Sequence, residues 1–432
     1  MCYAIPGKVK RFQDKFVIVD YFGEERRAYN ELDDLSIGDY IYAQGGYAIQ
    51  KIASDEAESI LMTWKETFFE LQEVDLQLSR MDLESKDLSL RVVGLLDKVN
   101  HGFSLKTDEL EYILGLEDEK EKEFICKNAN FLRQKYHKNA CCVHGIIEIS
   151  NRCARDCHYC GISTFNNNLI RYHMDADEIF AVAQKAVKEY SFKALVLQSG
   201  EECGYNTREL AGVISKIRRE LGALVFISFG EISLEALDQY YQAGARGILL
   251  RFETSNEGLY NRLHPGGALA RRIDLIRAAD KRGYLVATGG LIGLPGATAH
   301  DIVNDALLAK ELNAEMYSFG PFIPSHDTPL SQSFSVSPDY MRMVIALIRL
   351  VDPAKGKILV TTAFETLDPL ARRQGLLCGA NSVMLNVTPR RYRQLYSIYP
   401  GRAHQSQSIP EQIEETIVLL KSLGRAPTDL GI

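Results

Sequence analysis

The stretch Gly145-Ile146-Ile147-Glu148-Ile149-Ser150, followed directly by Asn151-Arg152-Cys153-Ala154-Arg155-Asp156-Cys157-His158-Tyr159-Cys160-Gly161, decides how this chain is read. Its first six residues form a short apolar run of strand type, and the loop behind them spaces three cysteines as C-x3-C-x2-C. Seven more apolar runs follow, at 193–199, 223–228, 247–252, 284–290, 315–320, 358–363 and 382–386. Between them lie helical patterns such as 176–190, 207–221, 234–243, 268–282 and 302–312. Strands alternating with helices predict a parallel sheet closed by crossover connections. Eight such units in roughly 250 residues predict an α/β fold, a (β/α)8 TIM-type barrel whose chemistry sits at the C-terminal ends of its strands. That places Ser150, Gln198, Ser228, Arg251, Gly289, Gly320 and Thr361 around one mouth, with the cysteine loop on its rim.

Upstream, residues 1 to about 52 contain the β-rich segments KVKRF, FVIVDYFG, ERRAYN and DYIYAQGGYAIQKI, punctuated by Gly23, Gly38 and Gly45-Gly46, and predict a small barrel. From Asp55 the period changes: Ala57, Ile60, Leu61, Trp64, Phe68 and Leu71 recur at helical spacing behind an acidic first turn. The expected organisation is a small β-barrel plus helix over 1–72, a charged helical connector over 73–138 that also caps the next domain, and the large barrel with a C-terminal tail over 139–432.

Across 432 residues, 50 Lys+Arg against 57 Asp+Glu give a formal charge of −7, and 46% apolar with 25% charged residues is a globular composition rather than a disordered one. The longest uncharged stretch, 285–299, is interrupted by four glycines and a proline and is too short to span a bilayer. The start MCYAIPGKVKRF lacks the apolar core of a secretion signal, so the expected compartment is the cytoplasm. The one basic run, Arg390, Arg391 and Arg393, is too short for an electrostatic footprint, so neither nucleic acid nor a membrane is expected as partner.

Nine cysteines in a chain expected to meet a reducing compartment are no disulfide framework. Cys126, Cys141, Cys142, Cys203 and Cys378 are scattered and read as small buried hydrophobes, Cys2 stands alone, and Cys153, Cys157 and Cys160 are bunched. Three thiolates at that spacing suit three corners of a [4Fe–4S] cube, leaving one iron for an exogenous ligand. A zinc site of the Cys3His kind, with His158 as fourth ligand, satisfies the same count. A loop starting at a strand end in a barrel mouth favours the cube.

These residues resemble the radical S-adenosylmethionine (SAM) superfamily, whose signature is this spacing with an aromatic, here Tyr159, before the last cysteine. The resemblance continues through Gln198-Ser199-Gly200-Glu201, Arg251 to Thr254, Arg272, the Gly289 to Thr298 series, and the stretches 320–330, 361–363, 378–381 and 392–401. It covers about 140–425 and is similar to the HydE group of [FeFe]-hydrogenase maturases, beside biotin synthase and methylornithine synthase. The resemblance implies that Cys153, Cys157 and Cys160 carry the cluster and that SAM closes its fourth corner. It also implies that Tyr159, Ser199, Gly200, Glu201, Glu253, Arg272 and Ile292 hold SAM. A sulfonium ligand bearing an ammonium and a carboxylate calls for such acids, a guanidinium and backbone groups. Gln198, Arg251, Thr361, Thr362, Tyr392 and Tyr396 are the candidates for the substrate cavity. Residues 401–432 contain no cysteine, so a single cluster is expected, and no ligand set supports the second cluster that a biotin-synthase reading needs.

The opening Met1-Cys2-Tyr3-Ala4-Ile5-Pro6-Gly7-Lys8-Val9 and the continuation to about residue 72 resemble HypC-type chaperones of hydrogenase assembly. In that family the cysteine after the initiator Met helps carry an iron complex, which marks Cys2 here as a docking position; the family histidine is replaced by Gln44. Together the resemblances imply a radical SAM enzyme whose 5′-deoxyadenosyl radical acts on a thiolate-bound iron carbonyl/cyanide species or a related small thioether. The partners they imply are a reductant such as ferredoxin or flavodoxin and other hydrogenase maturation proteins. The alternatives are an amino-acid mutase of the methylornithine synthase type and a non-catalytic carrier of iron fragments.

Overall fold

A computed structural model describes residues 3–81, 88–201 and 205–431. Cys2 lies outside the described residues.

Strands Gly7–Gln13, Phe16–Tyr21, Glu24–Tyr29, Tyr40–Gln44 and Tyr47–Ile52 close into a five-stranded barrel, the first strand pairing with the second on one side and the fourth on the other. Val17, Val19 and Tyr21 alternate inward along one strand and meet Val9, Ala28, Ile41, Ala43 and Ala48 in its core. Helix Ser54–Leu78 lays Phe68 and Leu71 on that core and runs past residue 72. Helices Leu90–Asn100, Thr107–Leu114 and Glu119–His137 pack side-on against the outer helices Ala299–Glu311 and Pro338–Val351 or against each other, sharing one apolar core with them.

The large barrel consists of the eight parallel strands Ala140–Ser150, Ala194–Ser199, Leu224–Ser228, Ala245–Leu249, Leu285–Thr288, Met316–Tyr317, Lys357–Val360 and Ser382–Asn386. The last pairs with the first, from Ser382 opposite Cys142 to Asn386 opposite Ile146, so the expected (β/α)8 barrel is closed. Several strands differ in extent from their apolar runs, the run 315–320 shrinking to Met316–Tyr317, and three of them show the physical cause. The first begins at Ala140 because a two-residue strand from the C-terminal tail, Ala426–Pro427, pairs with its start. The run 247–252 leaves the ladder after Leu249, and Glu253 then turns with φ +70°, a left-handed conformation that is rare for a side chain of this size. The run 358–363 ends as a strand at Val360, because the Thr361 hydroxyl accepts from the Phe364 amide and caps a helix, Thr362–Leu367.

The small barrel seats on the N-terminal face of the large one, opposite the cysteine loop. Its hairpin tip at Gly45 comes so close to Leu285 and Leu224 that a Cβ there would lie 2.7 and 2.8 Å from their methyl carbons. Tyr47 donates its hydroxyl to the Gly283 carbonyl (2.9 Å), and Glu31 receives Arg246 (2.6 Å) and Arg218 (3.2 Å). Tyr40, Tyr42, Ile49 and Ile52 join Val196, Leu224, Phe226, Ala287, Met316, Leu359 and Met384 in one apolar layer that fills the lower bore.

A buried charge cluster ties the first helix to the large barrel. Asp75 receives both terminal nitrogens of Arg133 (2.7 and 2.8 Å) and faces Arg425 Nε at 3.1 Å, all three residues being at most 1% exposed. Removing the one acid leaves two buried guanidinium groups uncompensated. Asp75→Ala is therefore expected to lower stability in urea unfolding by about 3–5 kcal/mol, whereas Glu25→Ala, which breaks the exposed Arg11–Glu25 pair, leaves the midpoint unchanged. Equal midpoints for wild type and Asp75→Ala would contradict this account.

Candidate active site

The cysteine loop leaves the first barrel strand and is fastened both by its backbone and by side chains such as Asn151, whose Nδ2 donates to the Ile170 and Leu395 carbonyls (2.8 Å each). Ala154 N–H bonds the Glu201 carbonyl (2.9 Å), His158 N–H the Leu263 carbonyl (3.0 Å) and Gly161 N–H the Ile398 carbonyl (2.8 Å). Two glycines permit that approach: a Cβ on Gly200 would sit 2.3 Å from the Arg152 carbonyl oxygen, and one on Gly161 2.2 Å from that of Ser397. Cys153, Cys157 and Cys160 are free thiols facing one cavity. Burial raises the thiol pKa of each, that of Cys160 to about 12, and at Cys157 the charges of Cys160 and Cys153 raise it further. Left to themselves these sulfurs stay protonated; a bound cationic centre is what would make them thiolates. Among the described residues, none of the three belongs to a set of three or more His, Cys, Asp or Glu ligand atoms all within 4.8 Å of one another, the closeness a single zinc ion requires.

Beside the loop lies a ring of charge. Glu201 receives Arg155 (2.5 Å) and the Glu231 backbone amide (3.0 Å), and its other contact is Arg272 at 3.6 Å. Arg272 in turn meets Glu231 (3.1 Å) and donates to the Arg251 carbonyl (3.1 Å). Glu253 is buried; burial raises its pKa, against the pull of Arg251 and Arg272, and its Oε2 has no partner within the protein. An orphaned carboxylate oxygen on a residue with left-handed backbone is a costly arrangement, of the kind found where a ligand completes the contacts. Tyr159 reaches His264 Nε2 (2.9 Å), and burial followed by the Arg272 charge pushes the His264 pKa down to about 3, so the imidazole is neutral at physiological pH.

The three cysteines, Tyr159, Glu201, Glu253, Arg155 and Arg272 open onto a cavity of about 290 Å3 at the C-terminal mouth, floored by Ile146, Leu249, Leu359 and Met384, while Glu231 and His264 stand behind them. Of the sequence candidates, Cys153, Cys157, Tyr159, Cys160, Gln198, Ser199, Gly200, Glu201, Arg251, Glu253, Arg272, Thr361, Thr362 and Tyr396 line it. Two do not. Ile292 is wholly buried in the short ladder Leu291–Ile292 with Gly320–Pro321, and its neighbour Leu291 faces the cavity instead. Tyr392 stacks on Tyr172 at 4.8 Å and bonds Glu178 (2.6 Å) outside the cavity. Gln44 donates its amide to the Tyr3 carbonyl (3.4 Å) in the small barrel, its Oε1 buried without a partner.

Sequence reasoning missed several residues of the site. Glu148 and Arg402 form a buried pair (2.6 Å) in the cavity wall, with Glu148 Oε2 and Arg402 Nε both unpartnered. Arg155 and Glu231 complete the ring of charge. Arg171 holds the loop from outside, donating to the carbonyls of Asn151 (2.7 Å), Ile162 (2.6 Å) and Ser163 (2.7 Å). Because one side chain ties three backbone carbonyls of this loop together, Arg171→Ala is expected to raise hydrogen exchange across residues 151–166 at least tenfold while exchange in the barrel strands stays at the wild-type level. Unchanged exchange in that loop would show that Arg171 does not hold it.

Comparison with known proteins agrees with this geometry. Residues 147–309 match the Radical SAM superfamily and residues 1–64 the HupF/HypC family. The chain is 36% identical over 318 residues to the [FeFe] hydrogenase maturase subunit HydE of Thermotoga maritima, covering 74% of this chain and 90% of that protein. It is 27% identical over 336 residues to 3-methylornithine synthase of Methanosarcina acetivorans, covering 77% and 93%. The crystal structure of methylornithine synthase superposes with a TM-score of 0.68 over 77% of this chain and 97% of that one, at 24% identity, which speaks for the fold alone. A cysteine loop at the mouth of a closed parallel barrel and these similarities lead to one assignment: the chain is a radical SAM enzyme of the HydE family that carries a HupF/HypC-family domain at its N-terminus.

Proposed function

We propose that this enzyme matures a hydrogenase metallocofactor, acting on a thiolate-bound iron carbonyl/cyanide species or a related small thioether. What supports the reading is the cavity, which combines a cysteine loop, a buried Glu253 with a vacant oxygen and a Glu148–Arg402 pair with unused hydrogen-bonding capacity. The similarity to a HydE maturase subunit gives that cavity its direction.

In this reading Cys153, Cys157 and Cys160 hold one [4Fe–4S] cluster, and the other described cysteines, Cys126, Cys141, Cys142 and Cys378, are buried away from the cavity. Tyr159, Ser199, Gly200, Glu201, Glu253 and Arg272 hold SAM, with Leu291 at the place foreseen for Ile292. When bound, the pair supplies one-electron cleavage of a sulfonium carbon–sulfur bond, driven by an external reductant such as ferredoxin or flavodoxin. The chain's own residues bind, orient and exclude water. Glu201 and Glu253 accept from an ammonium or from ribose hydroxyls, and Arg155 and Arg272 answer a carboxylate. Deeper in, Arg402 and Glu148 offer complementary charges to the ends of an amino-acid-like substrate, while Gln198 bonded to Tyr396 (3.2 Å) and the hydroxyls of Thr361 and Thr362 line its sides. The apolar floor keeps water from the reacting centre. Other maturation proteins are the expected partners, with Cys2 of the HupF/HypC-type domain as a docking position for an iron complex.

Anaerobically reconstituted protein with SAM and dithionite is expected to release 5′-deoxyadenosine. Cys157→Ala should abolish that release, and Glu253→Gln should lower it at least tenfold with iron content unchanged. Supplied with a cysteine–iron carbonyl complex, the enzyme should give an adenosylated thiolate product by mass spectrometry. Methylated ornithine from lysine would establish the mutase alternative instead, and intact SAM under all conditions would leave only a carrier.

A further inference from the structure

We propose that the base of the large barrel holds a second metal site, in which Cys142, His144 and Asp429 bind one divalent iron or zinc ion. The inference concerns the end of the barrel opposite the cavity and does not rest on the function proposed above. Cys142 and His144 are alternate residues of the first barrel strand, on the face that points into the bore, while Cys141 and Val143, on the other face, pack into the helical shell. Asp429 comes from the C-terminal tail, which is stitched along the bottom rim: Ala426–Pro427 pairs with Ala140 and Cys141, Lys193 N–H bonds the Asp429 carbonyl (2.7 Å), and Leu430 bridges to Phe192. One thiol, one imidazole and one carboxylate, the acid 285 or more residues from the other two, thus meet with their ligand atoms all within 4.8 Å of one another.

Ligand atoms around a tetrahedral zinc or iron ion lie about 3.3–3.8 Å apart. His144 Nε2 and Asp429 Oδ2 are already 3.3 Å apart, so the set needs only a small contraction. All three residues are at most 3% exposed. Thr428 supports them from the outer side, its hydroxyl donating to Asp429 Oδ2 (2.6 Å) and lying within hydrogen-bond reach of the Cys142 sulfur, as outer-shell groups do around metal ligands. A His–Asp ion pair accounts for two of the three groups, whereas one ion accounts for the meeting of thiol, imidazole and carboxylate at a single buried point. The neighbouring cation, Lys357, is matched by Glu315 at 2.6 Å, so thiolate and carboxylate together balance a dication against a neutral imidazole. Mixed sulfur, nitrogen and oxygen donors select late first-row ions over magnesium or calcium.

Three protein ligands leave a fourth position, so the site is of the open kind rather than a closed structural one. The apolar layer through Phe226, Met316 and Leu359 separates it from the upper cavity, and Phe226 packs against the His144 ring at 5.2 Å. With the small barrel seated below, the ion enters as the base assembles, and then locks the tail in place.

The test uses the full chain with Cys153, Cys157 and Cys160 all replaced by alanine, expressed in cobalt-supplemented minimal medium so that the ion is present during folding. One cobalt per chain is expected, with a thiolate-to-cobalt charge-transfer band and the ligand-field spectrum of a four-coordinate ion. Cys142→Ser should remove the charge-transfer band, Asp429→Asn should lower occupancy at least tenfold with the circular dichroism spectrum unchanged, and Cys141→Ser and Cys2→Ala should each retain the full signal. No bound cobalt in the parent, a band that survives Cys142→Ser, or a band lost with Cys2→Ala or Cys141→Ser would overturn the assignment. Should the triple variant be insoluble, the cluster-loaded wild-type protein must show a fifth metal equivalent that Cys142→Ser removes, and a total of four would overturn it equally.

Discussion

The packing of glycine against backbone at the mouth of the barrel is the constraint from which the rest of the site follows. Three thiols can face one point only if the loop carrying them gives up regular hydrogen bonding within itself, and each freed amide then needs an acceptor elsewhere. Here the acceptors are the carbonyls of Glu201, Leu263 and Ile398, on three separate segments, and they are reachable because Gly200 and Gly161 carry no Cβ. The same contacts that seat the loop bring Glu201 alongside it, with Arg155 and Arg272 as its counter-charges. Loop position and the electrostatics of the cavity are therefore one arrangement, and a change at Gly200 would disturb both.

The two modules of the chain occupy opposite ends of one bore. The small barrel's hairpin at Gly45 and its tyrosines Tyr40 and Tyr42 close the N-terminal face, and the apolar layer above them reaches the floor of the cavity at Leu359 and Met384. The rim itself is electrostatically specific: Glu31 accepts two arginines from separate barrel segments, which fixes the small domain's orientation as well as its attachment.

The barrel was legible because parallel strands covered on both faces read as unbroken apolar runs, and all eight runs became strands. Their ends were harder to place where a side chain rather than a turn residue stops the strand, as with the cap made by Thr361, or where the tail lengthens it, as at Ala140. The cysteine loop and most of the candidate cavity residues were visible through spacing and resemblance. Glu148 was not, since one acid inside an apolar run looks like an edge defect until its partner Arg402, 254 residues away, is brought beside it. Arg171 escaped for a different reason: it serves backbone carbonyls, which leave no mark in the sequence. Cys142 and His144 fell just before the point where the first strand was expected to start, so their alternation on one face went unread.

The central claim is that the three loop cysteines hold an iron–sulfur cube with one iron open to SAM. Electron paramagnetic resonance of the dithionite-reduced, reconstituted protein tests it most directly. A reduced [4Fe–4S] signal that changes its g values when SAM is added is the predicted result; no such signal, or one indifferent to SAM, would contradict the account.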